Sequence, residues 1–556
     1  MKTDNRRLAA TALVALVATT LAQAQLAITS FGGNGKLSWD DPGGTGTHYA
    51  VQWTPSLNDR WRSWKEADTA LTGLGPTGTV EVPMFYRMIA QDHDYQATER
   101  YSYFDHLPAF DPLTPLEPNE MRITFMGSMI PLPVRLAQAE MSIFVEVGWV
   151  DNENDQFYQG KPVDQFVFDI GAGASANYAA AFVGYRLMDK IFISHLHADH
   201  MNDLLHTYCF GPSSDRKSPL YVWGSGPTDV EIPGYPGHYY DDGVAAFCAH
   251  LREAARWHTE SFSFQTTASA SYVPPTRIDW GLPHEPVPVG DDDPKDAYAM
   301  VPISLPWQEV GGVAYSNAET RATITHFPVI HCRKGSMGYK LQWQTSDGHT
   351  LSMIYTSDTK PEMNCVEQAI NGGNGIDVFI HEMVVPPSVW AYMSMGLEEA
   401  PAEGDPRYDE FLATTEALTY VQNSSHTSQG AFGYLLSQIN PRPRLAVATH
   451  FPTSDKTVAS AIQSIANHCP ETVLGDNFVC SFDLMVLRVF PDRIEQCRAE
   501  VSRFSNCPPV RIPADMLPPK YHDAQGKSDP YAQIDISSQI PATNANGTVN
   551  YRIDGF

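Results

Sequence analysis

The sequence predicts an α+β fold in which a small β domain precedes a larger layered domain. From residue 121 to residue 451, short apolar runs typical of strands recur, and segments with a helical period lie between them. Runs of strands with interleaved helices indicate helices packed on sheets. In residues 25–90 the runs are short, alternate in polarity and are separated by turn residues. We therefore expect two domains with separate cores.

The first 24 residues resemble a secretory signal peptide. Basic residues precede an apolar run from residue 8 to residue 21, and Ala22, Gln23 and Ala24 then suit cleavage after Ala24. The run is shorter than the roughly 20 apolar residues that a membrane-spanning helix needs, so no stable membrane anchor is expected. The expected location is periplasmic or secreted.

The rest of the chain divides by composition into four segments. A polar stretch that ends in the proline-spaced "LPAFDPLTPLEPNE" separates the two domains, and the sequence beyond the last strands is rich in proline and cysteine. The predicted segments are 25–90, a small β domain similar to a fibronectin-type sandwich; 91–120, a linker; 121–490, the main domain; and 491–556, a C-terminal extension.

The chain is strongly acidic, with 37 Lys and Arg against 64 Asp and Glu and a formal net charge of −27. Proteins that bind nucleic acids usually present a basic surface to the phosphate backbone. A nucleic-acid partner is therefore not expected, and a small molecule is the expected partner. The sequence leaves open whether the chain forms a homodimer.

Three histidines and an aspartate lie within six residues in the stretch "KIFISHLHADHMNDL", directly after an apolar run. His195 and His197 are alternate residues at a strand end, and Asp199 and His200 follow at the turn into a helix. Buried imidazoles need partners, so packing does not explain the cluster. Imidazole and carboxylate groups are ligands of Zn²⁺ and similar ions, and two adjacent ions are plausible here.

This His-x-His-x-Asp-His pattern resembles the signature of the metallo-β-lactamase fold superfamily. Four further motifs, one before this pattern and three after it, lie along the chain in the order that the superfamily has them. They are "VFDIGAG" with Asp169, "HFPVIHCRKGSMGYKLQW" with His331 rather than His326, "IYTSDTKP" with Asp358, and "AVATHF" with His450. The resemblance covers roughly residues 121–451 and implies an αβ/βα metallo-β-lactamase sandwich.

The resemblance also implies a dinuclear metal site. The first ion would be bound by His195, His197 and His331; the second by Asp199, His200 and His450; and Asp358 would bridge them. Asp169 would support the loop that carries the ligands. The implied cofactor is Zn²⁺, two per chain, with Mn²⁺ or Fe as alternatives.

Two features are similar to the ribonuclease Z branch of this superfamily, namely "FIHEM" and "SSHTSQGAFGYLLSQI". They imply that His426 is an active-site histidine outside the ligand set and that Glu382 orients it, although His426 could equally be a helix-capping neighbour. Asp199 could also orient the nucleophile. Other stretches, such as "INPRPRLAVATHF", look closer to hydrolases from guanitoxin-biosynthesis clusters. His381 is expected to face the other side of its strand.

The function implied is an exported zinc hydrolase in which metal-activated hydroxide attacks a small phosphoester or phosphodiester. The glycine-proline-rich basic arm of ribonuclease Z is not found, and the insert at 212–322 is partly acidic and is expected to roof the pocket. Three alternatives remain: a lactone or carboxylic-ester hydrolase, an aryl or alkyl sulfatase, and a binding scaffold without activity. The scaffold would be expected to lack ligands, whereas all seven positions are filled.

Overall fold

The chain folds as two units, Met1–Leu107 and Pro108–Phe556. The computed structural model describes five strands of the first unit and residues 107–130, 138–148, 163–216, 218–259, 297–453, 455–469 and 477–501. The predicted signal peptide, the acidic stretch near residue 291 and most of the C-terminal extension lie outside the described residues.

The first unit contains two small antiparallel sheets, in agreement with the predicted β character of residues 25–90. One pairs β1 with β2, and the other has the order β4–β3–β5. The strands are Ile28–Phe31 (β1), Leu37–Trp39 (β2), His48–Thr54 (β3), Arg62–Ser63 (β4) and Phe85–Gln91 (β5). Whether the two sheets form a fibronectin-like sandwich remains a prediction.

The second unit is built of strands and helices that mix along the chain. The strands are Ala109–Phe110 (β6), Met121–Gly127 (β7), Ser142–Gly148 (β8), Val163–Phe168 (β9), Lys190–Phe192 (β10), Leu220–Ser225 (β11), Met300–Leu305 (β12), Gly312–Asn317 (β13), Ala322–Pro328 (β14), Met337–Gln344 (β15), Thr350–Tyr355 (β16), Val378–Glu382 (β17), Leu445–Thr449 (β18), Phe478–Cys480 (β19), Met485–Val489 (β20) and Ile494–Ala499 (β21). The helices are Ala174–Ala180 (α1), Ala198–Met201 (α2), Asp203–Phe210 (α3), Val244–Ala254 (α4), Met363–Ile370 (α5), Pro387–Ser394 (α6), Tyr408–Ser425 (α7), Gln429–Gln438 (α8) and Asp455–Ala466 (α9). None of these described helices is long and apolar enough to cross a membrane.

The strands form two mixed sheets. The nine-stranded sheet has the order β12–β11–β10–β9–β8–β7–β20–β21–β6, and the seven-stranded sheet runs from β13 to β19 in chain order. In each sheet a run of antiparallel strands is followed by parallel ones, β9 to β12 in the first and β16 to β19 in the second. The carboxyl ends of parallel strands lie at one edge of a sheet, so the loops that follow them are brought together there.

The nine-stranded sheet is covered on both faces, because side chains that are adjacent along its strands point to opposite faces and both sets are apolar. Val167, Ile191 and Ile193 belong to a core that also contains buried residues of α1, α3 and α4. Phe168 and Phe192, at the intervening positions, face the opposite way and contact rings of the seven-stranded sheet. Residues one apart on a strand point to opposite faces, so a continuous apolar run is the pattern expected of a strand buried on both sides.

An aromatic layer joins the two sheets. The Phe168 ring lies 5.8 Å from that of Tyr339 and 6.3 Å from that of Tyr355, between ring centroids. The Tyr339 hydroxyl donates a hydrogen bond of 2.7 Å to the Ile193 carbonyl of the facing sheet. Because its polar end is satisfied in this way, a tyrosine can be buried between the sheets at little cost.

Helices cover the outer face of the seven-stranded sheet. The ring of His381 on β17 stacks on Phe432 of α8 at 5.1 Å, which confirms that His381 faces away from the site. Gly433 lets α9 pack closely on α8, because a Cβ there would lie 2.9 Å from the Ile465 Cα. The layers are therefore helix, sheet, sheet and helix, and the predicted αβ/βα sandwich is confirmed.

The nine-stranded sheet extends beyond residues 121–490, the limits predicted for the main domain. Strand β6 pairs in parallel with β21, and both lie outside that interval. Salt bridges from Glu120 to Arg122 and Arg488 connect the neighbouring strands β7 and β20 at this end of the sheet. The two short strands were missed because proline and charged residues near them suggested a linker and an irregular extension. The insert at 212–322 likewise contributes β12, β13 and α4 to the layers.

Candidate metal centre

The loop after β10 carries the first four candidate ligands. His195 and His197 follow the strand, and the short helix α2 begins at Ala198 and brings in Asp199 and His200. The ring centroids of His195 and His200 are 4.2 Å apart, and those of His195 and His197 are 4.5 Å apart. Because the chain changes from strand to helix here, four side chains that are close in sequence point towards the same place.

Three further candidates lie at the ends of adjacent parallel strands in the other sheet. Asp358 follows β16, Glu382 ends β17 and His450 follows β18. The Asp358 carboxylate is buried and lies 3.4 Å from both His200 Nε2 and His450 Nε2. His450 Nε2 is also 3.2 Å from Asp199 Oδ2. The site therefore lies where the edges of the two sheets meet.

His331 reaches the same place from the loop between β14 and β15. Its Nε2 lies 3.1 Å from His197 Nδ1, and its Nδ1 is 2.9 Å from the carbonyl oxygen of Ser425. His326, the competing histidine of this motif, lies within β14 opposite Tyr339 and is absent from the described metal-like clusters. The choice of His331 over His326 agrees with this geometry.

The structure gathers all seven predicted ligands into two groups whose ligand atoms lie within 4.8 Å of one another. The groups are His195, His197 and His331, and Asp199, His200, Asp358 and His450. Asp358 lies in the second group, and its Oδ2 is 3.8 Å from His331 Nε2 of the first, so its position suits a bridging carboxylate.

Buried polar atoms without partners indicate that these residues fit metal ions. Among the described residues, His195 Nε2 is buried and has no hydrogen-bond partner, and the buried atoms His200 Nε2 and Asp358 Oδ1 lie 3.4 Å apart without forming a hydrogen bond. An unsatisfied buried polar group costs roughly 1–3 kcal/mol, so this cluster needs an explanation. Divalent ions coordinated by imidazole and carboxylate would satisfy them.

Asp169 fixes the orientation of His200. Its Oδ2 lies 2.8 Å from His200 Nδ1, which leaves Nε2 for the centre of the site. The same carboxylate accepts hydrogen bonds from Ser194 and from the Tyr355 hydroxyl, at 2.6 and 2.7 Å for the side-chain contacts. This is the supporting role implied for Asp169. Ser194 and Tyr355 were not singled out in the sequence, although both lie beside motif residues.

Gly171, of the Asp-x-Gly motif, allows the ligand loop to lie against this strand end. A Cβ on Gly171 would lie 2.1 Å from the carbonyl oxygen of Asp199. Ile170 N also donates to the His200 carbonyl at 2.7 Å. The motif therefore holds the loop by backbone contact as well as through the Asp169 carboxylate.

Burial and neighbouring charges shift the pKa of the candidate ligands in opposite directions. Burial lowers the pKa of His195 well below its usual value. Burial also opposes the charged form of His200, but the carboxylates of Asp199 and Asp358 raise its pKa well above the usual value. Burial also opposes the charged form of His450, but the carboxylates of Asp358, Asp199 and Glu382 together raise its pKa to about 10. Divalent ions would displace the protons held on such histidines.

His426 and Glu382 form a pair beside the second group. His426 follows α7 as its C-cap residue, and its Nδ1 lies 2.8 Å from Glu382 Oε2. Burial opposes the charged form of His426, but Glu382 raises the pKa above its usual value. Glu382, fully buried, also accepts a hydrogen bond from Thr359 N. The contact is the one implied for an active-site histidine and its carboxylate.

A cavity of about 240 Å³ adjoins the first group. Its walls come from the loop that carries His331 and from two loops around β11 and α4. Part of this wall belongs to the insert at 212–322, which was expected to roof the pocket. On this side the candidate site is therefore bounded partly by motif residues and partly by residues of the insert that the motifs do not include.

No family model matches the chain. A 61-residue segment is 36% identical to ribonuclease Z of Treponema denticola, and the match covers 11% of this chain and 20% of that protein. The chain thus matches about a fifth of the length of this curated relative.

Solved structures with some similarity include the short form of human tRNase Z, with a TM-score of 0.35, 14% identity and coverage of 66% of this chain and 98% of the other. A second is CmlA, a diiron β-hydroxylase from Streptomyces venezuelae, with a TM-score of 0.33, 9% identity and coverage of 69% and 55%. A third is MEM-A1, a subclass B3 metallo-β-lactamase from a soil metagenome library, with a TM-score of 0.21, 10% identity and coverage of 60% and 81%.

The motifs and the architecture are similar to those of the metallo-β-lactamase fold. Five motifs lie along the chain in the order that this superfamily has them, and the two-sheet sandwich brings their residues to one point between the sheet edges. The chain therefore has the αβ/βα architecture that the motifs predicted, and a 61-residue segment of it is similar to ribonuclease Z.

Proposed function

We propose that this protein is a metal-dependent hydrolase that cleaves phosphoesters or phosphodiesters of small molecules. The observation that carries the proposal is the cluster of seven ligand-type side chains with unpartnered buried atoms, beside a histidine–carboxylate pair that is not needed as a ligand. The fold alone does not determine the reaction, so the assignment depends on this site.

The proposed ligand sets are His195, His197 and His331 for one ion and Asp199, His200 and His450 for the other, with Asp358 between them. Zn²⁺ suits this mixture of imidazole and carboxylate, and Mn²⁺ or Fe are the alternatives. When bound, two such ions supply Lewis-acid activation of water and of the ester that is cleaved. Asp169 supports the second set by holding the tautomer of His200.

We assign the role of general acid to His426. Its Nδ1 is engaged by Glu382, so Nε2 is the nitrogen that can donate a proton to the leaving oxygen. Burial opposes the charged form of this imidazole, but Glu382 raises its pKa and so favours the protonated form that an acid needs. Glu382 acts through His426, as a positioning residue.

A substrate panel tests the reaction class. The metal-loaded protein would be assayed with five substrates: a p-nitrophenyl phosphodiester, p-nitrophenyl phosphate, p-nitrophenyl sulfate, p-nitrophenyl acetate and a lactone. We expect the highest kcat/KM on a phosphoester. A higher value on acetate or lactone would favour the ester-hydrolase alternative, a higher value on sulfate would favour a sulfatase, and no turnover of any substrate would favour a binding scaffold.

Replacement of His426 separates proton donation from metal binding. His426→Ala should lower kcat on the order of 10²-fold for an alkyl alcohol leaving group, which needs a proton, and much less for p-nitrophenolate. The matched control is His250→Ala, because His250 also contacts a carboxylate, Asp241 at 3.0 Å, but is exposed. Full activity of His426→Ala on the alkyl ester would exclude the acid role, and loss of metal would make His426 a ligand.

We further propose that the protein is exported and that two zinc ions are bound per chain. The apolar run before Ala24 supports export, and the seven gathered ligand-type residues support two ions. Material purified from the native host should begin at Gln25 and contain about two Zn²⁺ per chain by elemental analysis. An intact Met1 on soluble material would contradict export, and metal content near zero after reconstitution would contradict the site.

A further inference from the structure

The insert forms a finger at the rim of the cavity beside the first ligand group. The finger consists of residues 226–243, which connect β11 to α4. Its base lines the cavity through Thr228, Asp242 and Gly243. Thr228 N and Oγ1 donate hydrogen bonds of 2.8 and 2.7 Å to the Asp242 carboxylate, so the two sides of the finger are joined at the base.

The rest of the finger is held by its own backbone. Tyr240 N donates a hydrogen bond of 3.1 Å to the Val230 carbonyl, and Glu231 and Tyr239 are bridged as in an antiparallel pair. These bonds fix the conformation of the finger before a ligand binds. Little conformational entropy is therefore lost when a ligand contacts it.

The Tyr240 ring lies on the cavity side of the finger. In an extended segment such as this one, residues two apart share a side. Tyr240 and Asp242 both contact Arg333, whose guanidinium lies 4.5 Å from the centroid of the Tyr240 ring and pairs with the Asp242 carboxylate. Arg333 lines the cavity. Asp241, between them, instead pairs with His250 of α4 at 3.0 Å.

Tyr240 offers a ligand a flat aromatic surface without a free charge. The residue is 37% exposed although a guanidinium lies over its ring, and the charge of that guanidinium is compensated by Asp242. The finger itself carries four carboxylates and neither lysine nor arginine. An anionic group would be repelled at this rim, whereas a neutral ring would not.

The volume of the cavity determines which part of a substrate reaches Tyr240. Pockets for drug-sized ligands measure roughly 300–1,000 Å³, whereas this cavity measures about 240 Å³. It has room for the reacting group and a short spacer. A larger substituent has to extend past the rim, where the finger stands.

We propose that Tyr240 is a specificity-determining residue, whose ring stacks against a neutral aromatic ring of the substrate. The preferred substrate is then a small phosphoester joined through a short spacer to an uncharged aromatic group. This inference rests on the proposed function and specifies its substrate class. Aromatic pairs contribute to binding beyond the area that they bury, so the ring is recognised by its shape as well as by its apolar surface.

Equilibrium binding tests this preference without requiring turnover. The zinc-loaded protein would be titrated by calorimetry with 3-phenylpropylphosphonate, 3-cyclohexylpropylphosphonate and propylphosphonate. The three ligands share a phosphonate and a spacer, and the first two carry rings of similar size of which only the phenyl ring is flat. We expect the phenyl ligand to bind roughly 2- to 10-fold more tightly than the cyclohexyl ligand. Equal affinities for these two ligands would overturn the proposal.

Variants of Tyr240 connect the preference to this ring. Tyr240→Leu should bring the ratio of phenyl to cyclohexyl affinity near one, and Tyr240→Phe should retain it because the ring remains. The matched control is Tyr239→Leu, since Tyr239 is adjacent in sequence and 57% exposed but alternates to the other side of the finger. An unchanged ratio in Tyr240→Leu, or an equal loss in Tyr239→Leu, would contradict the assignment.

Propylphosphonate reports whether the cavity itself is intact. Its affinity should be the same in all four proteins, because it carries no ring. If Tyr240→Leu weakens propylphosphonate as much as the phenyl ligand, the position of the finger and not the ring is responsible, and the proposal is overturned.

The two proposals fail in different ways. If the substrate panel shows no hydrolysis of phosphoesters, the proposed reaction fails, and the ratio of phosphonate affinities still decides on Tyr240. If phosphoesters are hydrolysed but the phenyl and cyclohexyl ligands bind equally, only the role of Tyr240 fails.

Discussion

Replacing Gly171 with alanine should damage the metal centre although no ligand residue is replaced. The added Cβ would lie 2.1 Å from the Asp199 carbonyl oxygen and 2.9 Å from its carbonyl carbon. Both neighbours are backbone atoms, so no side-chain rotation relieves the overlap. The loop that carries Asp199 and His200 must move away from the strand end, because Gly171 itself is held by a 2.8 Å hydrogen bond to the Met141 carbonyl.

The size of the effect follows from this overlap. Ordinary contacts between non-bonded heavy atoms begin near 3.5 Å, so a shift of about 1.4 Å from the 2.1 Å overlap is needed. Metal–ligand distances tolerate only about 0.2 Å. We therefore expect the affinity of the ion bound by Asp199 and His200 to fall roughly 10- to 100-fold or more, as for loss of a supporting group. Overpacking should also lower the free energy of unfolding by about 1–3 kcal/mol.

The assay is zinc affinity, measured by competition with a chromophoric chelator, with thermal unfolding in EDTA as the measure of stability. The matched control is Gly430→Ala on α8, where a new Cβ would meet only His468 Nε2 at 3.9 Å. That variant should bind zinc normally and gain up to about 1 kcal/mol from helix propensity. Two tightly bound ions in Gly171→Ala would refute the reasoning.

Three further predictions concern groups around the site. His200→Ala should retain about one ion per chain by elemental analysis, because the three histidines of the first group are intact; retention of two ions would contradict the assigned sets. Asp169→Asn should weaken zinc binding roughly 10- to 100-fold in calorimetry, since His200 Nδ1 loses its carboxylate partner; an unchanged affinity would remove the orienting role. Burial raises the pKa of Asp483 to about 7, whereas an unfolded Asp titrates near 3.9. The folded protein then keeps a proton that the unfolded chain has lost, so the free energy of unfolding should fall by about 4 kcal/mol in total between about pH 4 and pH 7. Urea unfolding across this range would measure the fall, which Asp483→Asn should flatten.

Most of the site could be predicted because its residues follow strands with a clear pattern. Continuous apolar runs before Asp169, His195, Asp358 and His450 predict buried strands, and polar residues at strand ends predict a site at the sheet edge. Local spacing could not show which of these ends meet. Which strand ends lie together depends on the strand order in the two sheets. The family resemblance predicted this grouping, whereas the periodicity of the sequence could not.

The parts that were missed have physical reasons. Strand β6 is two residues long and its partner β21 is rich in polar residues, so neither has a recognisable period. The contact between Asp242 and Arg333 in the cavity wall joins residues 91 apart, and a pair at that separation leaves no local pattern. Ser194 and Tyr355 were overlooked because each lies on or beside an apolar run, where a polar residue is usually attributed to packing.

The division of the ligands between the two sheets makes the metal ions part of the folding equilibrium. Asp199 and His200 come from the nine-stranded sheet, whereas Asp358 and His450 come from the seven-stranded one. An ion bound by both sets would act as a reversible cross-link between the two sheets. Its stabilisation grows as RT ln(1 + [L]/Kd), about 2.7 kcal/mol at a free concentration 100 times Kd. Supply of metal in the compartment where the chain folds would therefore govern its lifetime as well as its activity.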